Sequence, residues 1–205
     1  KLLGAHGRVL PMSAVPLELQ ALVKGHDPDL PDAIVTVRGQ ATVALTPGEV
    51  QSVHVVPPDP PAVPEAVAAV LDADWVVLGP GSWFSSVIPH LLVPELLDAL
   101  VTTKARKVLS LNLAPQPGET EGFSPQRHLE VLGRHAPKLA LDVVLADEAA
   151  VPDRESLADA AQRLGAAVEL APVASPDGVP VHDQELLAAA YDRIFRMHGR
   201  IGPWR

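Results

Sequence analysis

The run Gly79-Pro80-Gly81-Ser82-Trp83-Phe84-Ser85-Ser86 combines residue types able to hold a phosphate without a net positive protein. Glycines permit tight turns and close approach of a ligand to the backbone. Ser82, Ser85 and Ser86 offer hydroxyl donors, and free N–H groups at a following helix start favour an anion. Phe84 could stack on a base or cover a sugar. The plainer alternative is a loop that only caps a helix, with Trp83 and Phe84 in the core; composition leaves both open. A serine-hydrolase elbow is excluded, because Ser82 has Pro80 and Phe84 where that turn needs glycines.

A second run, Asn112 to Phe123, is equally polar. Asn112, Gln116 and Thr120 supply donors and acceptors. Glu119 and Glu121 have the oxygen chemistry that suits Mg²⁺ bound together with substrate phosphates. The alternative is a rigid loop with solvated carboxylates, preferred for Glu121, while Glu119 is read as functional. The histidines do not form a metal set: His128 and His135 stand seven apart, not at the i, i+4 spacing of a zinc helix. His182 is expected to be a loop residue before the last helix, and His198 a favourable charge at its end. Neither a phosphate-binding lysine loop nor a G-x-G-x-x-G is present.

The elements that must position these runs form an alternation. Arg8 to Met12 reads as a short strand, and Leu17 to Val23 as either helix or strand. Residues 33–56 alternate apolar and polar about Pro47-Gly48, which predicts a β-hairpin elaboration. Apolar runs Trp75–Leu78, Lys107–Leu113, Asp142–Ala146 and Val168–Val173 are expected to be strands covered on both faces. Between them lie helices over Pro64–Leu71, Val87–Leu92, Pro94–Thr102, Pro125–His135 (with Ser124 as N-cap) and Asp153–Leu164. A last helix, His182–His198, should pack through Leu186, Leu187, Ala190, Ile194 and Met197. The expected fold is α/β: a Rossmann-like, doubly wound, mainly parallel sheet with a small antiparallel elaboration, in one domain over 1–205. Both polar runs follow strands, where such folds bind ligands.

Only 3% of residues are aromatic, so Ala, Val and Leu must build the core, and 22 prolines stiffen the loops. A net charge of −9 argues against a nucleic-acid binder. The absence of cysteine suits the cytoplasm, and no run is long and apolar enough to predict a membrane span.

Val76 to Pro94, with Gly79-Pro80-Gly81-Ser82-Trp83-Phe84-Ser85-Ser86 and then Pro89-His90-Leu91-Leu92-Val93-Pro94, resembles the signature of the CofD-like/YvcK (gluconeogenesis factor) family, usually a GPGSLYTS run followed by PNLLVP. Pro115 to Phe123 resembles its second signature, TQPGETDGY. Val9-Leu10-Pro11-Met12-Ser13 and Pro64-Glu65-Ala66 fit in order and spacing. The resemblance implies a relative of 2-phospho-L-lactate transferase in a branch that binds UDP-sugars, notably UDP-N-acetylglucosamine. That branch is linked to gluconeogenic growth, cell shape and wall synthesis in bacteria. It implies a ligand site at Gly79, Pro80, Gly81, Ser82, Phe84, Ser85, Ser86, Asn112, Gln116, Glu119 and Thr120. No cofactor is required beyond Mg²⁺ accompanying the nucleotide. The expected partners are a UDP-sugar, proteins of wall synthesis and a second copy of the chain. A Mg²⁺-dependent transferase and a scaffold for a wall-synthesis protein are the alternatives. The family's opening glycine-rich GGGTG segment is not in this sequence, and Lys1–Leu3 reads as the tail of a helix.

Overall fold

Parallel pairing of short apolar strands creates the frame of the molecule. A computed structural model describes residues 7–198. Strands β4 (Trp75–Leu78), β5 (Arg106–Ser110), β6 (Val143–Asp147) and β7 (Ala167–Ala171) lie in the order β4-β5-β6-β7, all parallel. Successive residues face opposite sides of the sheet. Val108, Val143 and Leu145 pack with α6 (Gln184–His198) through Ala190 and Ile194. Leu109, Val144 and Ala146 instead join Leu129 and Leu132 of α4 (Pro125–His135) and Leu157 and Ala161 of α5 (Arg154–Arg163). Helices on both faces explain why all five residues of β6 are buried.

The helix starts follow local chemistry. The Ser124 hydroxyl accepts from Arg127 N–H ahead of Pro125, and the Asp153 carboxylate accepts from Ser156 N–H. Helices α2 (Pro64–Leu71) and α3 (Pro94–Thr102) also begin at proline and pack on one another.

A three-stranded antiparallel sheet has β1 (Glu18–Lys24) at its centre, between β2 (Ile34–Arg38) and β3 (Glu49–Val56). Leu17 to Val23 is thus strand. Residues 33–56 are not a hairpin: β2 and β3 each pair with β1, and the short helix α1 (Gln40–Ala44) separates them. Ala41 and Val43, which looked like strand alternation, lie in that helix, where Val43 alone is buried. Arg8–Met12 forms no strand; nearby, Ser13 makes one isolated bridge to Ala62. Val87–Leu92 is not an α-helix but the end of a π-helical turn (Trp83–Val87) followed by a 3₁₀ turn (Ile88–Leu92). On α6, Leu186 and Met197 are exposed, and Tyr191 and Phe195 join Leu187 in packing instead. The expectations for Lys1–Leu3 and the His198 side chain lie outside the described residues. Among the described residues no single helix is long and apolar enough to cross a membrane.

Candidate functional site

The loop after β4 turns at Gly79, whose φ of +71° suits glycine; a Cβ there would stand 2.7 Å from the Ser110 carbonyl oxygen. The chain then enters the π turn, in which Val87 N–H reaches the Ser82 carbonyl at 3.0 Å. This wider winding sends Trp83 and Phe84 into the core, 1% exposed each, and leaves Ser86 outside. Phe84 meets Phe123 edge-to-face, with ring centroids 6.1 Å apart. The expectation that Phe84 stacks on a ligand is therefore corrected: its ring props the loop from behind. The plainer reading of these aromatics was right about where they go.

The loop after β5 fastens onto the first. Gly81 N–H donates to Asn112 Oδ1 at 3.1 Å, and Asn112 Nδ2 donates to the Gly81 carbonyl at 2.9 Å. Asn112 Nδ2 also reaches Gln116 Oε1 at 3.2 Å, while Gln116 Nε2 donates to Ser82 Oγ at 3.3 Å. Thr120, fully buried, accepts from Gln116 N–H at 2.8 Å. Glu119 is 4% exposed; its carboxylate accepts from Phe84 N–H at 2.9 Å and from the Ser85 hydroxyl. Ser85 is itself buried, so its hydroxyl serves this tie and not a ligand.

The predicted residues come together, but with divided roles. Asn112, Gln116, Glu119 and Ser85 join the two loops, Thr120 braces the second from within, Pro80 and Ser86 are exposed, and Gly79, Gly81 and Ser82 are half-exposed. Glu121 is exposed, as read. Glu119 does not stand ready for Mg²⁺, since both its oxygens are engaged by loop donors. Among the described residues no group of three His, Asp or Glu could hold a metal. The antiparallel sheet backs this unit. Gly118, at φ +82°, lies against the Ala44 and Thr46 carbonyls, and Gln40 Nε2 donates to the Ser85 carbonyl at 2.7 Å.

Sequence reading missed a group farther along the same sheet edge. Asp147, the last residue of β6, accepts from Ala149 N–H at 2.9 Å, Val173 N–H at 2.8 Å and Ala174 N–H at 3.0 Å. Burial pushes its carboxyl up, but these donors outweigh it and hold the pKa below the ordinary carboxylate value. His182 faces this carboxylate; burial lowers the imidazole while Asp147 and the Leu111 backbone oppose that shift. Ser110 Oγ and Tyr191 OH lie 2.6 Å apart, and burial raises the phenol against that bond. A cleft of about 230 Å³ opens beside Asp147, walled by Leu113, Ala149, Ala174, Ser175 and Pro180. An aspartate closing an otherwise apolar strand was the one available sequence signal.

A family model described as 2-phospho-L-lactate transferase CofD matches residues 1–187. A Mycobacterium tuberculosis protein named "Putative gluconeogenesis factor" is 50% identical over 197 residues, covering 95% of this chain and 57% of that protein. The Mycobacterium leprae protein of that name is 49% identical, covering 95% of this chain and 54% of its own length. The chain thus spans a little over half the length of these curated relatives. A crystal structure of a UPF0052 family member from Bacillus halodurans superposes with a TM-score of 0.76 at 25% identity, covering 94% of this chain and 63% of that one. That superposition supports the α/β fold described above. The chain belongs to the CofD family, alongside the gluconeogenesis factors and the UPF0052 protein.

Proposed function

We propose that this chain binds a nucleotide-sugar of the UDP-N-acetylglucosamine type across the joined loops 79–86 and 112–120. In this reading it is a cytoplasmic regulator of bacterial carbon metabolism, cell shape or wall synthesis, and not a catalyst. The observation that carries the proposal is the Asn112–Gly81–Gln116–Ser82 network. It holds two loops in one pre-formed polar surface at strand ends, where open α/β sheets take their ligands. Ser82, Ser86 and the backbone at Gly79–Gly81 would meet the diphosphate and sugar, and Phe84 would act only by supporting that backbone. Loops 79–86, 111–124, 147–153 and 172–183 contain no Lys or Arg, yet include Glu119, Glu121, Asp147, Glu148, Asp153, Asp177 and Asp183. A bare diphosphate would be repelled there. The ligand therefore binds as its Mg²⁺ complex, the metal arriving with the phosphates.

Calorimetric titration with UDP-N-acetylglucosamine, with and without Mg²⁺, tests this. Saturable binding is expected only with Mg²⁺, weakened about tenfold or more by Asn112→Ala, the equivalent of one good hydrogen bond. Binding unchanged in Asn112→Ala would move the site elsewhere, and absence of heat under all conditions would sink the proposal. Release of a nucleotide product during the titration would favour a transferase instead.

A further inference from the structure

Trp83 Nε1 and His128 Nε2 are buried side-chain nitrogens with no hydrogen-bond partner. They belong to neighbouring rings: Trp83 and His128 meet edge-to-face with centroids 4.9 Å apart and planes at 85°. Their exposures are 1% and 4%. The tautomer follows from geometry. His128 Nδ1 lies 2.9 Å from the Ser124 carbonyl, which can only accept, so Nδ1 carries the hydrogen and Nε2 a bare lone pair. Trp83 Nε1 can only donate. Two rings in edge-to-face contact, one on the loop after β4 and one on α4, thus carry an unpaired donor and an unpaired acceptor that do not bond each other.

A proton on Nε2 would convert that acceptor into a second donor and bury a positive charge. Among the described residues no charged partner offsets that cost, and burial outweighs the one opposing contact, the Ser124 carbonyl. Phe123 packs edge-to-face on His128 at 5.4 Å and has the Arg127 guanidinium 5.8 Å from its own centroid, a further positive charge. On the loop side, the Glu119 carboxylate is already engaged by Phe84 N–H and Ser85. Along α4, His135 faces Phe84 and not His128, and Ser124 contributes only its carbonyl.

We propose that His128 is a positioning residue that holds loop 79–86 through Trp83 only while its Nε2 is unprotonated, so that the ligand surface loosens in acid. The ligand half of this inference rests on the function proposed above; the loop half does not. Burial lowers the His128 pKa in the folded chain, outweighing the Ser124 carbonyl that would raise it. The stabilising contribution is therefore complete above the unfolded value of about 6.5, and is lost as pH falls below it toward the folded value.

The test is a ¹⁵N–¹H NMR titration of the 205-residue chain from neutral pH into acid, following the His128 ring nitrogens and the Trp83 indole N–H, assigned through Trp83→Phe. The Trp83 indole and the amides of residues 79–86 should shift together as His128 titrates. In His128→Gln, which keeps an acceptor oxygen that does not titrate, they should stay fixed. A wild-type loop that remains still while His128 takes up its proton overturns the proposal without need of any variant, as does equal movement in His128→Gln. Affinity for UDP-N-acetylglucosamine with Mg²⁺, measured in parallel, should weaken by up to about tenfold per pH unit below the His128 titration in the wild type, and not in His128→Gln. Loop movement without binding at any pH would refute the ligand reading and leave the latch standing.

Discussion

The two ends of one sheet edge both hold a buried carboxylate, but only one of them adds a layer of neutral side-chain ties. At β4 and β5, the neutral amides of Asn112 and Gln116 span the loops on the outer side, while the buried Glu119 carboxylate ties them behind, at Phe84 N–H and Ser85. At β6 and β7, a single carboxylate, Asp147, gathers three backbone N–H groups and closes the strand ends on itself. The neutral outer ties cost little to rearrange and leave the Ser82 and Ser86 hydroxyls accessible. A buried carboxylate with its donors spent is expensive to disturb. The first end has the character of a binding surface and the second that of a structural lock, although a cleft lies beside the lock.

Phe84→Ala should break the first end from behind. Loss of a fully buried ring should cost about 3–5 kcal/mol of unfolding free energy, read from urea titration, and weaken ligand binding through misplaced backbone. Asp147→Ala should break the second end, costing about 3 kcal/mol by stranding Val173, Ala174 and Ala149 N–H groups, with ligand affinity nearly intact. Because its folded pKa is depressed, the Asp147 contribution is present above the unfolded carboxylate value of about 3.9 and fades as pH falls through the folded value. Acid unfolding curves of Asp147→Asn should consequently be flatter there than those of wild type. Asn112→Ala should reverse the Asp147 pattern, with about 1–2 kcal/mol of stability lost but the larger effect on affinity. Ser86→Ala, exposed, should change stability by less than about 0.5 kcal/mol and reveal only its share of ligand contact. If Asp147→Ala abolished binding while Asn112→Ala did not, the assignment of the two ends would be inverted.

Much of this arrangement was legible in the residues. Ser124-Pro125 and Asp153 announced their helices, and the apolar strands announced a parallel sheet. The two polar runs were placed at strand ends because glycine, serine and amide residues cluster right after those strands. What escaped was non-local. Nothing within Glu18–Lys24 says that it pairs with strands on both sides, since that depends on residues up to Val56. The inward path of Phe84 depends on a π turn, one residue wider than the α-helical spacing a pattern assumes. Glu119 carried a correct location and a wrong partner: its buried donors come from Phe84 and Ser85, contacts 34 and 35 residues away. His128 belongs to no motif, so only its surroundings mark it, and Asp147 is marked in the sequence only as the acidic end of an apolar strand.

The core around Trp83, Phe84, Val87, Ile88 and Leu91 is continuous with Ala21, Val53 and Val55 on one side and Leu109 and Val144 on the other. The two sheets share these side chains, so neither retains a closed interior once the other is lost. They should melt as one cooperative unit, giving a single calorimetric transition whose van't Hoff and calorimetric enthalpies agree. A cut in the turns between Trp83 and Leu92 would uncouple both halves at once.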